Sequence, residues 1–166
     1  GVGFAEFERL ALSAPVGAEG LMLAPFFQGE RTPNLPNALA AWHGMTLTNF
    51  TPANIARASI EAILLSLANA LELFRSTGRP VHAVKLIGGA AANRAVREIA
   101  AGLFGGTIEL PAAGEYVARG AAKQAAEAVG ISTAAWTVEV ETVSAAPYPS
   151  EILERFRGLV ADLQRA

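Results

Sequence analysis

The sequence predicts an α/β fold with helices on both faces of a sheet. Three observations predict it. Short apolar runs of strand length alternate with amphipathic helical segments, glycine and proline mark the junctions, and one apolar run ends in two glycines before a helix. Because 52% of the 166 residues are hydrophobic and only 17% are charged, the chain can bury the core of a single domain.

The composition also excludes several classes of function. A net charge of −2 gives no electrostatic case for binding nucleic acid. The absence of cysteine excludes disulfides and thiolate metal sites, and it fits a reducing compartment, so we expect a cytoplasmic protein. No apolar run reaches the roughly 18 residues that a membrane-spanning helix needs.

The first third of the chain predicts one helix, two strands and a loop. Apolar residues recur with helical spacing over residues 3–13. Prolines and glycines then break the chain before a short apolar strand at residues 21–25. Residues 28–37, rich in proline and asparagine, predict a loop, and the partial alternation of residues 41–47 predicts a second strand.

A long helix is predicted to follow. Thr51 is a favourable N-cap and Pro52 suits the first helical position, whereas Gly78 marks the end. Further apolar residues flank the main stripe, so we expect this helix to be buried on more than one side. The stripe consists of Ile60, Ile63, Leu64, Leu67, Leu71 and Phe74.

The motif around which the chain is organised lies at its centre. An apolar strand at residues 83–87 runs into Gly88 and Gly89, and a helix is predicted from Arg94 to Phe104. A strand, a glycine turn and a helix N-terminus together present backbone N–H groups that suit a phosphate. The same pattern also fits an ordinary turn in which glycines allow close packing. Asn93 could cap the helix or donate its amide to a ligand.

Four further elements are predicted after the central helix. Residues 107–110 form a short strand, residues 114–128 an alanine-rich helix that we expect to pack closely on the sheet, and residues 137–143 an edge strand. Residues 150–164 form the last amphipathic helix.

Catalytic motifs are missing from the sequence. His43 and His82 lie in or beside predicted strands and have no companions at metal-ligand spacing. The only aspartate, Asp162, lies on the last helix. Nucleophile elbows, Walker loops and dinucleotide fingerprints do not occur. The residues alone therefore predict a phosphate-binding turn without catalytic groups, with no catalytic residue and no metal ligand.

Four segments of the chain resemble the C-terminal domain of the FGGY carbohydrate kinases. Residues 40–45, followed after eight residues by residues 54–61, fit the family's second signature at every defined position. Residues 86–90 are similar to the family's adenosine-phosphate turn, and residues 115–122 to the helix after it. The loop at residues 29–33 resembles the version found in members that phosphorylate D-xylulose. The four motifs cover about residues 20–125 in the family's order.

The resemblance implies an actin-like ATPase (ribonuclease H-like) domain with a mixed sheet, using ATP and Mg²⁺ to transfer a phosphoryl group to a sugar hydroxyl. By position, Gly88, Gly89, Ala90 and Asn93 would bind the nucleotide. The sequence departs from the family's turn from Ala90 onward, since a third glycine followed by Ala-Lys-Ser is usual there and this chain has Ala90, Ala91, Ala92 and Asn93. Gly102 stands where the family commonly has an aspartate.

The resemblance also sets expectations for the rest of the enzyme. Residues 1–166 would be one C-terminal domain, the nucleotide-binding half, which is inactive without an N-terminal domain that supplies the sugar site and the catalytic aspartate. Because the first residue is Gly1, we expect a processed or partial chain. We also expect an exposed apolar face where the missing domain docks, and self-association, for example as a homodimer. Glycerol kinase, another pentulose kinase and a non-catalytic nucleotide-binding or assembly module are the alternatives.

Overall fold

The computed structural model describes residues 2–165, and all five predicted helices are found there. Two short 3₁₀ turns, Ala18–Gly20 and Gly89–Ala92, precede the first strand and the third helix. In chain order the elements are α1 (Phe4–Ser13), β1 (Met22–Ala24), β2 (Ala41–His43), α2 (Pro52–Arg75), α3 (Arg94–Leu103), β3 (Thr107–Pro111), α4 (Tyr116–Ala128), β4 (Val140–Ser144) and α5 (Ser150–Arg165).

The strands form two antiparallel pairs, and the predicted central strand is much reduced. β1 pairs with β2, and β3 pairs with β4. The prediction of a full strand over residues 83–87 is wrong, because this segment makes only one parallel bridge in the described chain, between Lys85 and Glu109. Leu86 N donates to Glu109 O at 2.9 Å, and Glu109 N donates to Val84 O at 2.9 Å. Pairing around β3 is therefore mixed in direction, as expected, but the strand before the glycines has a partner on only one side among residues 2–165.

The second predicted strand, residues 41–47, ends early at His43 because the chain turns at Gly44. This glycine has a φ of +66°, and a Cβ there would lie 2.4 Å from Gly20 O. Thr46 N then donates to Asn49 Oδ1 at 2.8 Å, and Asn49 Nδ2 donates to Gly44 O at 2.9 Å, which closes the loop before α2.

Helix α2 is the centre of the hydrophobic core. Its N-terminus is as predicted: Thr51 Oγ1 accepts from Asn54 N at 3.2 Å. One part of the core joins α2 to α1, α3 and β3, and a second part joins it to β1 and α5. The α2 residues that point into these two parts are Ala56, Ile60, Leu64, Leu65 and Ala68.

The predicted apolar stripe of α2 is partly wrong. Ile60 and Leu64 are buried as expected, but Ile63, Leu67 and Phe74 are 60%, 51% and 47% exposed. The helix is apolar around most of its circumference, so periodicity does not say which face the core takes. The exposed residues follow each other at spacings of four and seven and form one open apolar face along α2.

A buried polar network connects α2 to the ends of the chain. Arg57 Nε lies 2.8 Å from Glu61 Oε1, and both side chains are almost fully buried. Glu61 Oε1 also accepts from Gly17 N at 3.0 Å and from the Tyr148 hydroxyl at 2.9 Å, and Arg57 Nη1 donates to Ala14 O at 3.3 Å. Because both charged groups have several partners, the pair is compatible with burial.

Tyr148 makes the stability of the fold sensitive to alkaline pH. Burial, followed by the charge of Glu61, raises the pKa of the Tyr148 hydroxyl. The unfolded chain releases this proton near pH 10 while the folded chain keeps it, so the free energy of unfolding falls as the pH rises above about 10. We expect Tyr148→Phe to lose less stability over that range. Urea unfolding at a series of pH values measures the difference, and parallel curves for the two proteins would contradict it.

Helix α4 does not pack as predicted. None of its residues is buried, and Val117 is 89% exposed. Its many alanines bury little area, so the close packing expected of this helix needs an opposing surface that residues 2–165 do not provide. Within the same residues, no helix is both long and apolar enough to cross a bilayer.

Candidate functional site

The glycine turn, residues 88–92, is held by its own backbone. Gly88 has a φ of +100°, a conformation that residues with a side chain rarely adopt. Ala91 N donates to Gly88 O at 3.0 Å, and Asn93 N donates to Ala90 O at 3.1 Å. Among the described residues nothing accepts a hydrogen bond from Gly89 N or Ala90 N. The turn therefore presents two adjacent N–H donors at the surface, as an anion site would.

The N-terminus of α3 is already occupied by protein groups. The Asn93 side chain accepts from Val96 N at 3.2 Å, so this residue is a helix cap, one of its two predicted roles. Glu8 Oε2, from α1, accepts from Arg94 N at 2.7 Å. A carboxylate thus lies at the positive end of the helix. A bound phosphate would consequently meet the glycine turn rather than the end of the helix, which differs from the arrangement expected from sequence.

The glycine turn forms one wall of an open cleft of about 800 Å³. Gly88 and Gly89 line the cleft, whereas Ala90 and Asn93 do not. The opposite wall is formed by residues 110–116 and 139–141. A cleft of this volume falls within the range of about 300–1,000 Å³ that accommodates small organic ligands.

The charges around the cleft are divided between its walls. Arg97 is the cation beside the glycine turn, and Glu115, Glu139 and Glu141 lie along the opposite wall. A polyanion would be repelled by the carboxylates and would lie against the turn, while the carboxylates suit hydroxyl or amine donors. Among residues 2–165 there is no cluster of three or more histidine or carboxylate side chains that could hold a metal.

Sequence reasoning missed most of this opposite wall and also Arg97. Arg97 follows Asn93 by four residues, so helical geometry places it above the turn, and that spacing was a usable signal. Glu139 and Glu141 reach the cleft only because β4 pairs with β3 across 28 intervening residues, and no local pattern indicates such a pairing.

Comparison with known proteins identifies the family. The family model for the C-terminal domain of the FGGY carbohydrate kinases matches residues 4–129, well over half of the chain. The chain belongs to the FGGY family. The actin-like ATPase fold expected from the sequence motifs is confirmed, since its structural neighbours are FGGY sugar kinases.

Individual FGGY kinases resemble this chain along most of its length. It is 38% identical over 125 residues to the xylulose kinase of Haemophilus influenzae, covering 75% of this chain and 25% of that protein. A glycerol kinase of Alkalilimnicola ehrlichii is 33% identical, over 86% of this chain and 29% of that protein. The crystal structure of xylulose kinase from Bifidobacterium adolescentis superposes with a TM-score of 0.81 at 40% identity, over 95% of this chain and 32% of that one. The chain therefore spans about a quarter to a third of these FGGY kinases.

Proposed function

We propose that this chain is the nucleotide-binding C-terminal domain of an ATP-dependent kinase that converts D-xylulose to D-xylulose 5-phosphate. The observation that carries the proposal is the glycine turn. It offers the unpaired N–H groups of Gly89 and Ala90 next to Arg97, and Gly89 lines a cleft large enough for a nucleotide. Membership of the FGGY family and the 38% identity to a xylulose kinase support the choice of reaction.

In this proposal the phosphates of ATP lie along the glycine turn and the nucleoside lies toward the carboxylate wall. Gly88 and Gly89 line the cleft and bind through their backbone, Ala90 contributes its unpaired N–H from outside the cleft lining, and Asn93 holds the turn by capping α3. Preorganised backbone donors of this kind stabilise phosphate charge without reorganisation during the reaction. The ribose hydroxyls would donate to Glu115 or Glu139 on the far side of the cleft.

The Mg²⁺ that accompanies ATP in such kinases has no evident ligand set in these residues. No group of three candidate ligands lies together in residues 2–165, and Asp162 is exposed and paired with Arg165 on α5, away from the cleft. We therefore propose that the catalytic aspartate, the sugar site and any metal ligands belong to an N-terminal domain of the same kinase. The isolated chain would bind nucleotide without transferring phosphate, and a cytoplasmic location is part of the same proposal.

Glycerol kinase activity is the second candidate, because a glycerol kinase is also 33% identical over most of this chain. The residues that select the phosphoryl acceptor would lie in the other domain. Phosphorylation of D-xylulose and of glycerol by the intact kinase, measured at equal concentrations, separates the two. Preferred phosphorylation of glycerol would overturn the xylulose assignment, and absence of both activities would favour a non-catalytic module. Formation of a homodimer stays a prediction.

We expect Gly89→Val to weaken ADP binding at least about tenfold while the fold is retained, because loss of a charge-assisted contact has effects of this size. A Cβ at Gly89 meets no atom within 4 Å, so the valine fits the fold but fills the approach to the turn. Calorimetric titration of the intact kinase with ADP, with and without Mg²⁺, measures the change. The control is Gly3→Val, which is equally unhindered but does not line the cleft. Unchanged affinity in Gly89→Val would remove this residue from the site.

A further inference from the structure

Arg97 connects three parts of the cleft. It lies in the first turn of α3, and its backbone N donates to Asn93 O at 3.2 Å. Its side-chain Nε donates to the carbonyl oxygen of Ala91, in the glycine turn. Its Nη1 lies 3.9 Å from Glu141 Oε2, on β4 in the opposite wall. With 33% of the side chain exposed, Arg97 is half-buried between these elements.

The contact with Ala91 completes the constraint on the glycine turn. The Ala91 N–H is bonded to Gly88 O, and its carbonyl is bonded to Arg97. The peptide groups on both sides of Ala91 are therefore held by hydrogen bonds. The N–H groups of Gly89 and Ala90 lie in the short segment between Gly88 and Ala91. Since a peptide unit is rigid, fixing its ends limits where those two donors can point.

We propose that Arg97 is a positioning residue, which holds the glycine turn in its ligand-binding conformation and ties the turn to the opposite wall through Glu141. For the role in nucleotide binding, this inference rests on the proposed function. The planar guanidinium suits the task because Nε donates to Ala91 O while Nη1 extends toward Glu141 as an ion pair at 3.9 Å, whereas a lysine ammonium is a compact point charge without this fork. The role is indirect: Arg97 acts on the ligand through the backbone of the turn.

The test compares Arg97→Ala with a matched control, Arg94→Ala. Arg94 lies on the same helix, is 71% exposed and pairs with Glu98, and it does not line the cleft. The first measurement is amide hydrogen exchange by NMR at Ala91 and Asn93, whose N–H groups are bonded within the turn. We expect amide exchange at both residues to accelerate about tenfold or more in Arg97→Ala. The exchange rates of the α3 amides and the melting temperature should stay close to those of Arg94→Ala.

The second measurement is the dissociation constant for ADP in the intact kinase. We expect Arg97→Ala to weaken binding about tenfold and Arg97→Lys to restore little of it, because one ammonium does not replace the two-point contact. Weaker ADP binding without faster exchange would overturn the positioning role, since Arg97 would then contact the phosphates directly. Unchanged exchange and unchanged binding would overturn it outright. Failure of the wild-type kinase to bind ADP would contradict the proposed function alone, because the exchange measurement decides the role of Arg97 without nucleotide.

Discussion

Gly102→Ala is expected to lower the free energy of unfolding by about 2 kcal/mol, although alanine is the better helix former by about 1 kcal/mol. Gly102 is buried in the last turn of α3, and Tyr148 packs directly against it. The backbone N–H of Tyr148 donates to Gly102 O at 3.1 Å. A Cβ at this position would lie 2.6 Å from Tyr148 Cδ2 and 2.9 Å from the backbone oxygen of Ala146. The backbone atom cannot rotate away, so the C-terminal segment must shift.

Urea denaturation of Gly102→Ala beside Gly158→Ala measures the effect. Gly158 is exposed in the middle of α5, and a Cβ there would meet no atom within 4 Å, so its substitution should raise the free energy of unfolding by about 0.5–1 kcal/mol. Gly102→Asp, which introduces the residue that the family resemblance leads us to expect, should cost more than alanine, because it adds a buried carboxylate to the same clash. Equal stability of the two alanine variants would show that Tyr148 does not lie on Gly102.

Glu61→Gln is expected to lower the free energy of unfolding by about 3–5 kcal/mol, the usual effect of removing one partner of a buried ion pair. Glu61 is 3% exposed, and one of its oxygens accepts from Arg57, Gly17 and Tyr148. The substitution leaves the Arg57 guanidinium buried without its counter-charge. It also weakens the contacts that connect α2 to the segments at both ends of the chain. Denaturation at neutral pH measures the loss.

The control for Glu61→Gln is Glu72→Gln on the same helix. Glu72 pairs with Arg75 at the surface, where both side chains are more than a third exposed, and surface pairs contribute only about 0–1 kcal/mol. A double variant, Arg57→Met with Glu61→Leu, should recover much of the stability, because no unpaired charge stays buried. If the double variant is as unstable as Glu61→Gln, packing around these positions matters more than charge.

The helices of this fold could be predicted because their signals are local. Thr51 and Pro52 begin α2 as expected, and Asn93 caps α3, since both caps depend on residues within three positions. The strands were harder to predict. Residues 83–87 have the composition of a buried strand but make one bridge, because pairing needs a neighbour that composition cannot supply.

The candidate site divides in the same way. Gly88 and Gly89 were predicted to bind nucleotide from a motif of adjacent residues; both line the cleft, and their binding role stays a prediction. Glu141 and the fit of Tyr148 on Gly102 depend on segments far apart in sequence, so neither could be predicted without the fold. The glycine at position 102, where the family resemblance leads us to expect an aspartate, had no local explanation. The structure supplies one, because a tyrosine 46 residues later occupies the space that a side chain would need.

The contact between Glu8 and the first turn of α3 limits how far this region can be reduced. The two residues it joins, Glu8 and Arg94, are 86 positions apart, and the contact completes the helix end that follows the glycine turn. A synthetic peptide copying residues 83–104 would lack this carboxylate and also the apolar surface of α1 beneath α3. Helices of ten residues are marginal in water when isolated. Such a peptide should therefore be largely unstructured and a poor mimic, or immunogen, for the turn in the folded protein.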